Sequence, residues 1–86
     1  PTATGNAQVQ LGAYGSEKEA EANWSKISGK HGNLLKGRSH AVVKADLGAK
    51  GVFYRLRVTK VGNMDAARSL CKELSAKGQA CMPVAG

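Results

Sequence analysis

Apolar Val9, Leu11 and Ala13 alternate with Gln8, Gln10 and Gly12, a period of two that predicts a half-buried strand. A Gly15-Ser16 corner then changes the period. Ala20, Trp24 and Ile27 fall on one face at helical spacing. Ser16 followed by Glu19 forms a capping box, and Glu17, Glu19 and Glu21 suit the positive end of the helix dipole. Trp24 is therefore expected in the core. Further on, His40 to Asp46 reads as a strand with Ala41, Val43 and Ala45 on its buried side. The turn Leu47 to Gly51 returns the chain into a strand from Val52 to Val58. A second helix starts at the Asn63 cap, with Asp65 in its first turn. It buries Ala67, Leu70, Cys71 and Leu74 and stops at Gly78. Ala80 to Val84 is a final strand, and Pro83 assigns it to a sheet edge.

The chain also reads twice. At an offset of 47 residues (9 to 56), Val9 and Leu11 meet Leu56 and Val58, and Gly15-Ser16 meets Gly62-Asn63. Ala20 meets Ala67, Trp24 meets Cys71, and Gln8 and Gln10 meet Arg55 and Arg57. Two strand–helix–strand halves predict an α+β fold of order βαββαβ, ferredoxin-like or RNP-like. The expectation is a four-stranded antiparallel-type sheet, strands one and three central, with two helices on one face. Residues 1–6 read as linker and 7–86 as one domain, an excised module of a longer protein.

That arrangement leaves one sheet face open. Alternation places Gln8, Gln10 and Gly12 there, with Phe53, Arg55 and Arg57 beside them. His40, Val42, Lys44 and Asp46 are expected to join from the second strand, and Met82 from the last. Glutamine offers a donor and an acceptor to hydroxyls or acetamides. Arginine can fork a carboxylate. Phe53 can lie under a sugar ring. This is the chemistry of a carbohydrate reader, and an RNA-binding module of the same topology is the rival reading.

Charge sharpens the choice. Thirteen basic against six acidic residues give a formal +7, which favours an acidic partner. Four aromatics are few for a protein that stacks bases. No apolar run approaches the roughly 20 residues of a membrane-spanning helix. His31 and His40 read as surface residues, and neither a Ser/His/Asp set nor paired carboxylates are present, so no enzyme, cofactor or metal is expected. Cys71 and Cys81 leave buried thiols, a disulfide or half a metal site open, though their spacing is poor for zinc.

The segments VQLGAYGSEKEAEANWSKI, GVFYRLRV and AARSLCKELSAKGQACMPV resemble the SPOR domain, the sporulation-related repeat of bacterial envelope and division proteins. The resemblance covers about residues 7 to 85. It implies the same βαββαβ fold and non-catalytic binding of peptidoglycan glycan strands, with a preference for strands denuded of stem peptides. It also implies targeting of a parent protein to the septum from the periplasm or cell envelope. The module would be the terminal domain of an anchored or secreted protein, acting as a monomer without nucleic acid or membrane contact. By this resemblance the ligand contacts fall on Gln10, Phe53, Arg55 and Met82, with Arg57 a second cation and Gln8 and His40 at the margins. Arginine would then pair with the lactyl carboxylate that stripping exposes. Two departures stand out: Ala13 replaces a small polar residue, and Thr59-Lys60-Val61 replaces a Gly-Pro-aromatic ending. An oxidising envelope, with Cys71 on the helix stripe and Cys81 on the core side of the last strand, favours a disulfide.

Overall fold

The computed structural model describes residues 7–85; the expected linker at 1–6 lies outside them. Strand β1 (Ala7–Tyr14) leads into α1 (Glu17–Lys30) and a single turn, α2 (Gly32–Leu35). Strand β2 (Ser39–Asp46) and β3 (Val52–Gly62) flank a 3-10 turn at Gly48–Lys50. Helix α3 (Met64–Ala76) and the short β4 (Met82–Val84) complete the chain. The sheet order is β2-β3-β1-β4 and every pairing is antiparallel, so β1 and β3 are central as expected.

The helix boundaries follow from the residues that end them. Ser16 Oγ accepts the Glu19 amide at 3.1 Å, and Asn63 Oδ1 accepts the Ala66 amide at 2.9 Å. Each satisfies a donor that has no partner within its helix. At the end of α3, Gly78 takes φ +84, and the Gly78 and Gln79 amides reach back to Ser75 and Leu74. This is a Schellman stop, which needs a residue that tolerates the left-handed region. The helices pack on one side of the sheet over a core that includes Val9, Leu11, Leu56, Val58, Leu70 and Leu74. A Cys71–Cys81 disulfide ties α3 to the start of β4, with Cα atoms 5.1 Å apart.

Two irregularities reset what alternation predicts. Gln10 pairs with Arg57, but Gly12 pairs with Leu56, so β1 carries one residue more than β3 across this step. Leu11 and Gly12 share the space opposite Leu56, and a bulge of this kind accommodates them when one lacks a side chain. A Cβ on Gly12 would meet the Tyr14 hydroxyl at 2.7 Å and its ring at 3.0 Å. Gly12→Ala is therefore expected to cost about 1–2 kcal/mol through overpacking. Denaturant unfolding should show it, and Tyr14→Phe in the Gly12→Ala background should recover part of the loss. The Tyr14 phenol, half-buried in this corner, has its pKa raised by desolvation. Beyond the bulge the faces are reversed from the sequence reading: exposed Ala13 opposes Arg55, whereas Gly12 lies on the helix side.

The second irregularity falls in β3. Val58 pairs with Val9 and Gly62 with Ala7, so a step of four residues faces a step of two. The surplus is accommodated at Thr59-Lys60-Val61, the segment that departs from the family pattern. Lys60 takes φ +58, outside the usual range for a side-chain-bearing residue, while Val61 drops into the core.

Strand β2 is phased opposite to expectation. His40, Val42 and Lys44 pair with Val58, Leu56 and Tyr54, the helix-side residues of β3. Ala41, Val43 and Ala45 pair with Arg57, Arg55 and Phe53. The sequence His-Ala-Val-Val-Lys-Ala has apolar residues on both faces, so its alternation does not fix a phase. The contact with α1 does: the His40 ring stacks on Trp24 with centroids 4.7 Å apart, and His40 Nε2 lies 2.7 Å from Glu21 Oε1. Trp24 consequently packs against the margin of the core, half-buried, rather than at its centre. His31, expected at the surface, is only 6% exposed, because α2 folds Leu35 back into the core and draws the preceding turn with it.

Candidate functional site

The open face is built from all four strands. Across its middle, Met82 of β4 opposes Gln10 of β1, Gln10 opposes Arg57 of β3, and Arg57 opposes Ala41 of β2. One step along, Arg55 lies between Ala13 and Val43. Beyond that, Phe53 opposes Ala45. Gln8 flanks the Met82 end, opposite Val84. Gln10, Arg55, Arg57, Phe53, Gln8 and Met82 thus share one face, arranged as a diagonal strip. Met82 and Phe53 mark its two ends, rather than meeting around Gln10 and Arg55. At about 3.3 Å per residue, Phe53 and Arg57 alone span about 13 Å of β3.

The His40 placement is corrected by the same register. Its ring is held on the helix side by Trp24 and Glu21 and does not enter the strip. Val42, Lys44 and Asp46 leave with it, and Asp46 instead accepts the Gly48 amide at 3.0 Å in the following turn. His40→Ala should lower stability by about 1 kcal/mol, the scale of an aromatic contact and one exposed pair. Binding at the open face should be unchanged in that variant, as titration of a ligand against both proteins would show.

Polarity on the strip runs one way. Arg57 Nε donates to Gln10 Oε1 at 3.3 Å. Arginine has no acceptor, so the Gln10 oxygen must face it and the Gln10 amide group is left to donate outward. Both guanidinium groups add further donors. Among the described residues the Arg68–Asp65 ion pair and the His40–Glu21 contact lie elsewhere, so neither Arg55 nor Arg57 has a carboxylate partner there. The acids are kept off this face: Glu17, Glu19 and Glu21 on α1, Asp65 and Glu73 on α3, and Asp46 on the other side of β2. Apolar Ala41, Val43 and Ala45 border the donors on one side, and Met82, 54% exposed, on the other. Such a strip complements a ligand that is rich in carbonyl and carboxylate oxygens and also has apolar surface.

Ala13, Ala41, Val43 and Ala45 are the members of this face that the strand pattern assigned to the core. For Ala13 a signal was present, since an isolated glycine in a strand marks a bulge. No cluster of three or more His, Cys, Asp or Glu among the described residues could hold a metal. No helix among them is long and apolar enough to cross a membrane.

A four-stranded antiparallel sheet with its helices on one side and a donor-rich strip on the other defines a small βαββαβ module. The sequence profile of the SPOR domain matches residues 3–85, and the chain belongs to the SPOR domain family. Among solved structures it resembles the peptidoglycan binding domain of the Bacillus subtilis (B. subtilis) cell wall lytic enzyme CwlC, determined in solution. The TM-score is 0.64 at 19% identity, over 100% of this chain and 95% of that one. No curated protein sequence matches the chain significantly.

Proposed function

We propose that the open face binds the glycan strands of peptidoglycan without catalysis, preferring strands stripped of stem peptides. The observation that supports this best is the strip of Gln10, Arg55 and Arg57: outward donors, no carboxylate partner, and apolar borders. Stripping a strand uncovers a lactyl carboxylate on each muramic acid and leaves the acetamido groups in place. Arg55 and Arg57 would take the carboxylates, and the Gln10 amide an acetamide carbonyl. Phe53 and Met82 would lie against the sugar rings. A stem peptide would both remove the free carboxylate and add bulk to the strip, a double penalty of the kind that produces specificity. The CwlC domain, whose fold this chain shares, is itself a peptidoglycan binding domain. Through the same preference the domain would carry its parent protein to the division septum, within the cell envelope.

Co-sedimentation with purified sacculi, before and after an amidase removes the stem peptides, tests this reading. Retention should rise after amidase treatment, and a single-stranded RNA oligomer should fail to compete. Equal retention on both sacculi would remove the stripped-strand preference. Release by RNA at equimolar glycan would favour the nucleic-acid reading of the fold.

A further inference from the structure

The two edges of the sheet are not alike. Strand β4 has only three residues and carries Pro83, and both features blunt an edge against further pairing. Strand β2 has eight residues, Ser39–Asp46, with no proline and no break in its register with β3. Among the described residues its backbone bonds to β3 alone, so its outer side presents a row of unpaired amides and carbonyls. We infer that this edge pairs antiparallel with β2 of a second copy of the chain, a departure from the monomer that the family resemblance implies.

Two observations favour a second copy over a foreign strand. The first is charge. A two-fold axis perpendicular to the sheet keeps both open faces on one side, and opposed residues then share a face. Of the two such registers that engage nearly the whole strand, one sets His40 against Lys44. The other sets Val43 against itself on the axis, His40 against the partner's Asp46, and Lys44 against the partner's Val42. It opposes no two basic residues. The second observation is the apolar row of Ala41, Val43 and Ala45 along this edge of the open face. Leu47, 40% exposed, extends the row, held in phase by its amide bond to the Gly51 carbonyl at 2.8 Å. The same register lays Ala41 against the partner's Ala45, so the row meets its own copy and leaves water on both sides. The joined sheet carries two donor strips on one surface, with this apolar seam between them. On the function proposed above, one polymer would engage both strips, the second contact then being intramolecular. The pairing itself does not depend on that function. A strand edge is a smaller contact than the interface of a permanent dimer, and +7 on each copy opposes it. Association in solution is therefore expected at about millimolar protein and should strengthen with salt, which screens the repulsion.

Sedimentation equilibrium and amide NMR of the domain at low and high salt test the pairing. The expected result is a mass that rises from monomer toward dimer with concentration and salt, with amide shifts centred on Ala41–Ala45. Val43→Lys and Val43→Asp should each be monomeric, because the axis sets each new charge against its own copy. An equimolar mixture of the two should associate at least tenfold more tightly than either alone, a rescue that a merely structural defect would not give. Wild-type protein that stays monomeric, or a mixture no tighter than its components, overturns the proposal. So do β2 shifts that appear only with an added valine-threonine repeat peptide, which would assign the edge to a foreign strand. Shifts centred on Gln10 and Arg57 would place self-association on the donor strip and overturn it too.

Discussion

Arg55→Ala/Arg57→Ala is expected to lose at least a hundredfold in affinity for denuded glycan oligomers while remaining folded. Each guanidinium can make a charge-assisted, two-pronged contact, and removing one should cost about 1.5–3 kcal/mol. That corresponds to about ten- to 150-fold for each single variant. The two changes should not add simply, because the side chains are neighbours on one strand face. Arg57→Ala should also disturb Gln10, whose Oε1 loses its donor and can turn outward. Gln10→Ala should cost less, about 0.5–1.5 kcal/mol, the range of a neutral hydrogen bond. Both arginines are half-buried on the face away from the core, so the unfolding midpoint should move little. Salt should weaken wild-type binding more than that of the double variant, because the screened attraction is then already gone. Isothermal titration at two salt concentrations reads all of these effects. Wild-type affinity in the double variant would refute the site.

Replacing Cys71 and Cys81 together with alanine is expected to destabilise the domain by about 2–3 kcal/mol. The bridge spans ten residues of sequence, and the chain-entropy relation for closing such a loop gives that size. In a domain this small each kcal/mol moves the thermal midpoint by about 4–8 °C, so the shift should be about 10–20 °C. The effect should reach the open sheet face as well. Strand β4 has only three residues, Pro83 cannot donate to the ladder, and Met82 directly follows the bridged Cys81. Without the bridge, the element holding Met82 against Gln10 keeps only its β1 pairing and its non-covalent packing against α3. Thermal unfolding with and without reductant, with reduction verified by mass, measures the first effect. An unchanged midpoint in the fully reduced protein would contradict it.

Most of the fold was legible because its punctuation is chemical. Ser16 and Asn63 mark helix starts by side-chain bonds that few other residues can make, and Gly78 marks a helix end by a backbone angle that few others adopt. The 47-residue echo between the halves gave the order of elements and the central position of β1 and β3. Gln10, Arg55, Arg57, Phe53 and Met82 reach a common face because β3 alternates regularly over Phe53 to Val58. What failed was phase. In β2, Val42 and Val43 are equally suited to either side, so only the docking of His40 against α1 decides which one faces the helices. In β1, the surplus residue at Leu11-Gly12 leaves Leu11 in the core but reverses the faces inferred for Gly12 and Ala13. His31 escaped because Gly-Lys-His-Gly-Asn reads as a solvated loop, and its burial depends on the distant packing of Leu35.

The bulge at Leu11-Gly12 has a geometric consequence beyond where it points side chains. Bulges add right-handed twist to a sheet that is already twisted. It lies between the Gln10–Arg57 pair and the Ala13–Arg55 pair, in the middle of the strip. The path from Met82 to Phe53 is therefore a screw, not a straight trough. A rigid, straight polymer laid on it would touch the centre and lift away from both ends. A chain whose own winding matches that sense and pitch would touch Met82, the two arginines and Phe53 together. On the proposed reading of this face, the domain would select among polymers by their helical shape as well as by their charge.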